Sequence, residues 1–391
     1  MENLVIISKL KIKNSMIILG IETSCDETAA SVAEGRGDSV KILSNVVSSQ
    51  IEIHKKYNGV VPEIAAREHI LNILPVINEA LEKAGIEKNE AEKKIDALAV
   101  TAGPGLITSL LVGVETARTL SYVWKLPIVA VNHIEGHVYA NFIQSHGTVF
   151  GKPPPDPSLE RRGAFPALIL TVSGGHTMLV LMKGHGKFQT IGETRDDAAG
   201  EAFDKAAKLL QLGYPGGPIV SKTAAEFKKV SAATAITHPV RPGAVHPSQE
   251  GNIILPRPML NDPNFDFSFS GLKTALLYKI QKDKDWKNRI PEYCHEFERA
   301  VVETLVGKAV KTAKKYQVKT MMLAGGVSAN LVLREEFQNA AAKLGVACHI
   351  PPLEYTTDNA AMIAVAGYFR ARAKKFTPWQ KLKAEANREL R

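Results

Sequence analysis

The most constraining feature of this sequence is a unit of strand, polar turn and strand that stands at the start of each half. Residues 16–22 form a largely apolar run that ends in Glu22, a hydroxyl- and acid-rich turn follows at 23–28, and a second apolar stretch covers 29–33. Residues 167–172 and 178–182 are likewise largely apolar and flank a glycine-rich turn at 173–177. Each unit predicts a β-hairpin, and mixed strands and helices follow it. The repetition predicts a duplicated α/β architecture in which two lobes enclose a ligand cleft.

Two irregular stretches interrupt this pattern. Residues 145–165 contain three consecutive prolines and predict a linker or surface insertion, and residues 229–250 are rich in Ala, Thr, Pro and His. The expected divisions of the chain are an N-terminal extension at 1–15, lobe I at 16–144, the proline-rich stretch at 145–165, lobe II at 166–350 with an insertion near 229–250, and a C-terminal segment at 351–391.

Composition places the chain among soluble globular proteins. Hydrophobic residues are 45% and charged residues 23%, which excludes a disordered or collagen-like chain. The cysteines, Cys25, Cys294 and Cys348, are odd in number and widely spaced, so neither a disulfide framework nor a structural zinc site fits. We expect them to be reduced thiols in a cytoplasmic protein.

Two uncharged windows do not predict membrane spans. Residues 97–114 are broken by Gly103-Pro104-Gly105, and residues 163–182 are broken by the glycine-rich turn, so each window predicts two short elements. Residues 1–15 lack the apolar core and the cleavage site of a signal peptide. The sequence therefore predicts no association with a membrane.

The net charge of +9 is concentrated near the C-terminus. Residues 370–391 contain eight lysines and arginines against two glutamates, a net of +6, whereas the body of the chain is close to neutral. A basic tail on a neutral body predicts an anionic partner such as nucleic acid. The alternative is that Trp379 and Leu382 pack this tail against the body.

A pair of histidines offers a metal site. His133 and His137 are four residues apart, so on a helix they share one face and can reach one cation. Glu135 does not directly follow the first histidine, as it would in a zinc protease, and it faces away from the pair. Asp358, which opens a helix of small residues, is the best third ligand. Two histidines and one carboxylate suit Fe(II) or Zn(II); the alternative is a pair of surface or capping histidines.

Other turns offer sites for a phosphate or a nucleoside. The turn within 171–177 can present backbone N–H groups to anionic oxygens, although an ordinary hairpin turn has the same composition. The turn at 325–330 leads into a helix for which Ser328 is the expected N-cap. Asp204 lies on a charged helix face that is either solvated or in contact with ribose hydroxyls. The sequence contains no P-loop, no Rossmann fingerprint and no G-x-S-x-G nucleophile motif.

Taken in order, these motifs resemble those of the TsaD family, the tRNA N6-adenosine threonylcarbamoyltransferases. The match runs from about Met16 to Trp379. Each motif is common alone, whereas the ordered set is specific to the family. The matching blocks are residues 20–28 (Gly-Ile-Glu-Thr-Ser-Cys-Asp-Glu-Thr), 59–63, 103–106, 132–137, 173–177, 196–204, 214–218, 267–273, 325–330 and 357–359.

The resemblance implies an actin/Hsp70-like (ASKHA) fold of two duplicated lobes, with an interlobe cleft and a C-terminal segment that returns to lobe I. It implies one divalent metal per subunit, Fe(II) before Zn(II), held by His133, His137 and Asp358. It also implies a substrate-phosphate loop and a nucleoside site. The implied phosphate loop consists of Thr171, Val172, Ser173, Gly174 and Gly175. The implied nucleoside site consists of Asp204, Gly217 and Asn330.

The family transfers a threonylcarbamoyl group from threonylcarbamoyl-adenylate to N6 of adenosine 37 of tRNA, just 3′ of the anticodon, and releases AMP. Bacterial members act with the proteins TsaB and TsaE. For this chain the resemblance implies a metal-dependent acyltransferase acting on tRNAs that read codons beginning with adenine. Asp26 or Glu27 is the expected acceptor of the amine proton; the alternative is that both only cap the hairpin turn.

Two other classes of function stay open at this point. A metallopeptidase would use the histidine pair, although the position of Glu135 argues against it. A non-enzymatic scaffold with an actin-like fold would bind ATP or ADP and would modify no nucleoside.

Overall fold

The computed structural model describes residues 15–143, 164–237 and 253–390, with the backbone alone for 228–237. The expected extension at 1–15 and the proline-rich stretch at 145–165 lie almost entirely outside these ranges. The expected insertion near 229–250 lies outside them from residue 238 onward.

The described strands form two five-stranded sheets. The strands of the first sheet are β1 Met16–Glu22, β2 Glu27–Arg36, β3 Ser39–Ser49, β4 Ala97–Gly103 and β5 Ile128–Asn132. The strands of the second sheet are β6 Ala167–Val172, β7 Thr177–Gly184, β8 Lys187–Glu193, β9 Thr320–Ala324 and β10 Ala347–His349.

The two sheets have the same topology. The first has the order β3-β2-β1-β4-β5, and the second has the order β8-β7-β6-β9-β10. In each sheet the first three strands in chain order are antiparallel, the fourth pairs in parallel with the first, and the fifth pairs in parallel with the fourth. The prediction of two duplicated α/β lobes that each begin with a hairpin is therefore confirmed.

Nine helices of seven or more residues accompany these sheets in the described ranges. They are α1 Pro62–Lys83, α2 Ile107–Trp124, α3 His133–Tyr139, α4 Ala199–Leu209, α5 Gly216–Thr237, α6 Ser270–Lys282, α7 Ile290–Tyr316, α8 Leu331–Leu344 and α9 Ala360–Arg372.

Two local predictions were wrong. The stretch at 229–250 is not irregular at its start, because α5 continues to Thr237 through a segment with three alanines, the residue type with the highest helix propensity. Ser328 is not the N-cap of the helix that follows the 325–330 turn. It lies in a short 3₁₀ turn, and the side chain of Asn330 caps α8 by accepting a hydrogen bond from Leu333 N at 2.8 Å.

The central strands β1, β4, β5, β6 and β9 are largely apolar on both faces because both of their faces are buried. In β1, Ile18 faces the core that lies between the two sheets, whereas Leu19 and Ile21 face a second core shared with α1 and α2. The first core continues from lobe I into lobe II, because it also contains Ile169 of β6 and Met322 of β9. Burial on both faces explains why these strands are nearly continuous apolar runs.

Helix α9 lies at the centre of lobe I. Its residues from 360 to 369 are all buried, and it packs against β1, β2, β4 and α3. The approach to the sheet is too close for larger side chains: a Cβ at Gly367 would lie 2.3 Å from Cβ of Ala99, and one at Gly20 would lie 2.6 Å from the carbonyl oxygen of Ala360. The absence of side chains at these two glycines therefore sets the depth at which α9 sits.

The basic tail beyond α9 packs on lobe I. Leu382 is 2% exposed and joins the core under α1 and α2, and the ring of Trp379 lies 5.2 Å from that of Tyr122. The backbone is tied down as well, because Glu385 N donates to Ala102 O at 2.8 Å. The sequence left open whether Trp379 and Leu382 pack this tail against the body, and in the structure they do. Lys381 and Lys383, on either side of Leu382, remain exposed.

Replacing Leu382 with alanine should lower the free energy of unfolding by about 2–4 kcal/mol, because a buried leucine leaves a cavity. Replacing Lys381 and Lys383 with glutamine should leave the stability nearly unchanged, since neither side chain is buried. Urea unfolding of the three proteins measures the difference. Equal stability of Leu382→Ala and the parent protein would contradict a structural role for the tail.

A histidine is enclosed by aromatic rings where the lobes meet. His185, between β7 and β8, stacks on Phe369 of α9 with ring centroids 4.2 Å apart, and its Nδ1 lies 3.2 Å from the hydroxyl of Tyr139 on α3. Burial lowers its pKa to about 4; the charge of Asp38 acts in the opposite direction and that of Arg372 in the same direction. The folded protein therefore keeps this ring neutral.

This pKa shift predicts an acid-sensitive contact. The unfolded chain takes up the proton near pH 6.5 and the folded protein only near pH 4, so the contribution of His185 is complete above pH 6.5 and is lost as the pH falls toward 4. The loss is at most about 1.4 kcal/mol per pH unit. His185→Phe should therefore flatten the dependence of unfolding free energy on pH in this window. Parallel curves for the two proteins would exclude the effect.

Candidate metal centre and substrate cleft

The histidine pair and Asp358 come together although they are far apart in the chain. Asn132, the last residue of β5, caps α3 by accepting from Ile134 N at 2.9 Å, and this cap places His133 and His137 on the first turns. Asp358 lies just before α9, which packs against α3. The Nε2 atoms of His133 and His137 lie 3.5 and 3.1 Å from Oδ1 of Asp358, and the ligand atoms of the cluster all lie within 4.8 Å of one another.

These three residues fit a divalent metal. Both ring nitrogens of His137 are buried; Nδ1 makes no hydrogen bond with any described residue, and the neighbour of Nε2 is Oδ1 of Asp358 at 3.1 Å, so a cation between these two atoms would satisfy the donor pair. Burial works against a charge on Asp358, but the two histidines outweigh it and hold the pKa of this carboxyl well below its usual value. Two imidazoles and an ionised carboxylate form the donor set of Fe(II) and Zn(II) sites.

A third histidine faces the same cluster from lobe II. His176 ends the glycine-rich turn between β6 and β7, and burial, followed by the charges of His133 and His137, lowers its pKa to about 4. Its ring is therefore neutral at physiological pH. Sequence reasoning did not assign His176 a role, because its place beside the other histidines depends on how the two lobes meet.

The acidic turn of lobe I lies beside the metal cluster. Asp26 and Glu27 occupy the turn between β1 and β2, and Ser49 donates to Glu27 Oε1 at 3.2 Å. Burial, and then the charges of Asp358 and Asp26, raise the pKa of Glu27 well above its usual value. Burial and the same acidic neighbours raise the pKa of the Cys25 thiol, so this cysteine is not an activated nucleophile.

The glycine-rich turn of lobe II is open where a phosphate would approach. A Cβ at Gly174 or Gly175 would meet nothing within 4 Å, and Ser173 N donates to His176 O at 2.8 Å to close the turn. Val172 is fully buried and offers only its backbone. Thr171 is fully buried too, and its hydroxyl makes no hydrogen bond with any described residue.

The three residues expected at the nucleoside site surround the start of α5. Asp204 Oδ1 accepts from Gly216 N at 2.7 Å, and Gly217 next to it has open space on its Cα. The side-chain amide of Asn330 is committed to the protein: its nitrogen donates to Glu298 at 2.7 Å and to Ser221 at 2.8 Å, and its oxygen caps α8.

Tyr214 connects this region with the acidic turn. Burial, and then the charges of Asp26 in lobe I and Asp204 in lobe II, raise the pKa of its hydroxyl. Tyr214 therefore lies within electrostatic range of both the acidic turn of lobe I and Asp204 of lobe II. Sequence reasoning included Tyr214 in the matching block 214–218 but assigned it no role, because a tyrosine before Pro-Gly-Gly carries no charge pattern of its own.

Glu135 does not belong to the cleft. It is fully buried on the far side of α3, where its Oε2 lies 2.7 Å from the guanidinium of Arg370 on α9. The prediction that it faces away from the histidines is confirmed. Within the described ranges, every helix is too short or too polar to cross a lipid bilayer.

The sequence is similar to those of known proteins. The sequence profile of TsaD, described as tRNA N6-adenosine threonylcarbamoyltransferase, matches residues 41–365. A protein of that name from Dehalococcoides mccartyi strain CBDB1 is 48% identical over 356 residues, which cover 91% of this chain and 94% of the relative. A second protein of that name, from Thermomicrobium roseum, is 44% identical over 377 residues, which cover 91% of this chain and 92% of the relative.

The fold has a known counterpart as well. The crystal structure of HypF from T. kodakarensis is similar over 95% of this chain and 50% of that chain, with a TM-score of 0.50 and 12% identity. At that identity the similarity concerns the fold alone. Together with the repeated sheet topology, it confirms the actin/Hsp70-like fold of two lobes. Because the profile spans most of the chain and the relatives match at 44–48% identity, this chain belongs to the TsaD family of tRNA N6-adenosine threonylcarbamoyltransferases.

Proposed function

We propose that this protein transfers the threonylcarbamoyl group of threonylcarbamoyl-adenylate to N6 of adenosine 37 in tRNAs that read codons beginning with adenine, and releases AMP. The observation that carries the proposal is the combination of family membership with one cleft that contains the His133, His137 and Asp358 cluster, the acidic turn and the glycine-rich turn. The two lobes supply opposite walls of this cleft, so a donor and an acceptor can be held against each other.

In this proposal the glycine-rich turn binds the phosphate of the adenylate. The open faces of Gly174 and Gly175 let an anionic oxygen reach the backbone N–H groups, and the hydroxyl of Thr171 is a further buried donor. Asp204 and Gly217 contact the nucleoside, while Asn330 shapes this wall through its cap of α8. Val172 and Ser173 complete the loop through their backbone.

The proposed metal ligands are His133, His137 and Asp358, with Fe(II) as the first choice and Zn(II) as the second. When bound, such a cation supplies Lewis-acid stabilisation of the negative charge that leaves with AMP. The protein side chains do the remaining work. They hold the carbonyl carbon next to N6 of the adenine and keep bulk water away from the mixed anhydride.

Proton transfer is assigned to Glu27, with Asp26 beside it. As N6 bonds to the threonylcarbamoyl carbon, the bond from that carbon to the adenylate phosphate oxygen breaks, and a proton must leave the nitrogen. A carboxylate whose pKa is raised is a stronger base than an ordinary one, and Glu27 has such a raised pKa. Asp26, which faces Tyr214 across the cleft, is the second candidate.

We infer that the protein acts in the cytoplasm with TsaB-like and TsaE-like partners. Helices α1 and α2 pack side by side and expose apolar side chains, among them Leu71 at 68% and Ile107 at 45%. Apolar side chains exposed in a group are typical of protein interfaces. We assign this face to the TsaB-like partner. The exposed Lys381 and Lys383 are assigned to tRNA, since lysines outside the packed core of the tail can contact phosphates.

The activity is tested by reconstitution. Metal-loaded protein, the two partner proteins, threonylcarbamoyl-adenylate and an unmodified tRNA transcript should yield threonylcarbamoyl-adenosine, detected by mass spectrometry after nuclease digestion. The double variant His133→Ala, His137→Ala should lose both the bound metal and the product, because two of three ligands are gone. His185→Phe is the matched histidine control and should keep both.

Two results would redirect the assignment. Full metal occupancy in the folded double variant would place the metal elsewhere. Peptide cleavage that is lost on chelation, with no modified nucleoside formed, would favour the metallopeptidase instead. Glu135, held by Arg370, is not available as the general base that such an enzyme needs.

The partner face gives a separate prediction. Leu71→Glu should abolish co-elution with the TsaB-like protein in size-exclusion chromatography, since a charge on an apolar interface costs several kcal/mol. Ile254→Glu is the control, because Ile254 is equally exposed, at 69%, but lies in lobe II. Loss of binding in both variants, or in neither, would refute the assignment of α1.

A further inference from the structure

A buried carboxylate lies next to the metal centre without a role in the chemistry described so far. Glu22, the last residue of β1, is 0% exposed. Among the described residues no lysine or arginine forms an ion pair with it, and its basic neighbour is His133, whose Nδ1 lies 3.2 Å from Oε2 of Glu22. A fully buried carboxylate is costly unless positive charge and hydrogen bonds compensate it.

The structure surrounds this carboxylate with donors. Its Oε1 accepts from Ser24 N at 2.5 Å, and its Oε2 accepts from the hydroxyl of Thr101 on β4 at 2.5 Å. The turn after β1 and the neighbouring strand therefore hold the carboxylate in one orientation. In this orientation Oε2 faces Nδ1 of His133.

A carboxylate oxygen can only accept a hydrogen bond, so the contact requires the hydrogen of His133 to sit on Nδ1. The other ring nitrogen, Nε2, then presents its lone pair toward Asp358 and the metal position. Histidine ligands of metals commonly have such a carboxylate behind them, which orients the ring and makes it a stronger ligand.

We propose that Glu22 is a positioning residue of the metal centre, which fixes the tautomer and the orientation of His133 so that Nε2 faces the cation. The proposal rests on the metal binding by His133 assigned above. The segment that carries Glu22 then contributes to the site in two ways. Asp26 and Glu27 reach the cleft directly, whereas Glu22 acts through the histidine of another element.

The chain contains a matched control. Glu135 is as fully buried as Glu22 and lies two residues from His133 on the same helix, but its partner is Arg370 on the side away from the metal ligands. Removing the charge of either carboxylate disturbs a buried contact near α3. Only the removal of the charge of Glu22 should change the ligand strength of His133.

Ser24 is the competing partner, since its hydroxyl lies 3.1 Å from the same Nδ1. If that hydroxyl oriented the ring, Glu22 would only cap the turn through Ser24 N. Ser24→Ala and Glu22→Gln therefore separate the two interpretations.

The test measures zinc affinity of the metal-free protein by competition with a chelator, with thermal melts on the same samples. Glu22→Gln should weaken zinc binding by roughly 10- to 100-fold. Thr101→Val, which removes one of the donors that orient the carboxylate, should weaken it less, and Glu135→Gln and Ser24→Ala should leave it nearly unchanged. In the zinc-loaded parent protein, nitrogen NMR should find the hydrogen of His133 on Nδ1.

The outcomes are distinct. Zinc affinity of Glu22→Gln equal to that of the parent would overturn the proposal while leaving the metal site intact. A loss confined to Ser24→Ala would transfer the role to the serine and also overturn it. No zinc binding by the parent protein would remove the metal site itself and the proposal with it. If Glu22→Gln does not fold, the affinity of Thr101→Val decides, and parent-like binding there would count against Glu22.

Discussion

The burial of helix α9 against lobe I is the interaction on which the site depends. The helix is apolar along its buried length and lies against β1, β2 and β4, where Gly20 and Gly367 allow contact between backbone and sheet. Asp358 and the cap residue Asn359 immediately precede it, and Asn359 accepts from Met362 N at 3.1 Å. The depth and angle of α9 therefore decide where Asp358 meets the histidines of α3. A change at the helix–sheet contact would displace Asp358, a proposed metal ligand, without touching the cleft.

The electrostatics of the cleft depend on a group of acidic side chains and on the lack of lysine or arginine partners for them in the described ranges. Glu22, Asp26, Glu27 and Asp358 gather around the histidine cluster, and within the described ranges no lysine or arginine forms an ion pair with any of them. Burial, and then the charges of Asp358 and Asp26, raise the pKa of Glu27, while the two histidines outweigh burial and lower that of Asp358. A divalent cation is the natural counter-charge for such a set. In the proposed function, the same group of side chains provides both a metal ligand, Asp358, and a base, Glu27.

Part of the basic tail packs against the core and part of it exposes lysines, a difference that a count of charges does not reveal. Leu382 and Trp379 anchor it to the core under α1 and α2, and its backbone reaches the Gly103-Pro104-Gly105 turn through a bond from Gly105 N to Ala386 O at 3.1 Å. Farther along, Asn132, the N-cap of α3, donates to Arg388 O at 3.0 Å. The tail therefore supports the end of lobe I that carries His133. Its lysines can act on tRNA only from positions that this packing leaves exposed.

Local patterns in the sequence were enough for the two hairpins, the duplicated lobes and the spacing of His133 and His137, because strand alternation and helix periodicity are properties of neighbouring residues. The order of the motifs predicted the family, and the family resemblance in turn predicted that Asp358 joins the two histidines. Sequence reasoning failed where a role depends on a contact between distant segments. Ser328 looked like a helix cap, but Asn330 takes that place because the backbone first makes a 3₁₀ turn. Glu22, His176 and Tyr214 lie within matching blocks, but no local pattern assigns them a role. Only the packing of β1 beside β4 and of lobe II against lobe I brings Glu22 and His176 to the His133, His137 and Asp358 cluster and Tyr214 within range of Asp26. Proximity in the fold, and not distance along the sequence, decides which charges act on one another.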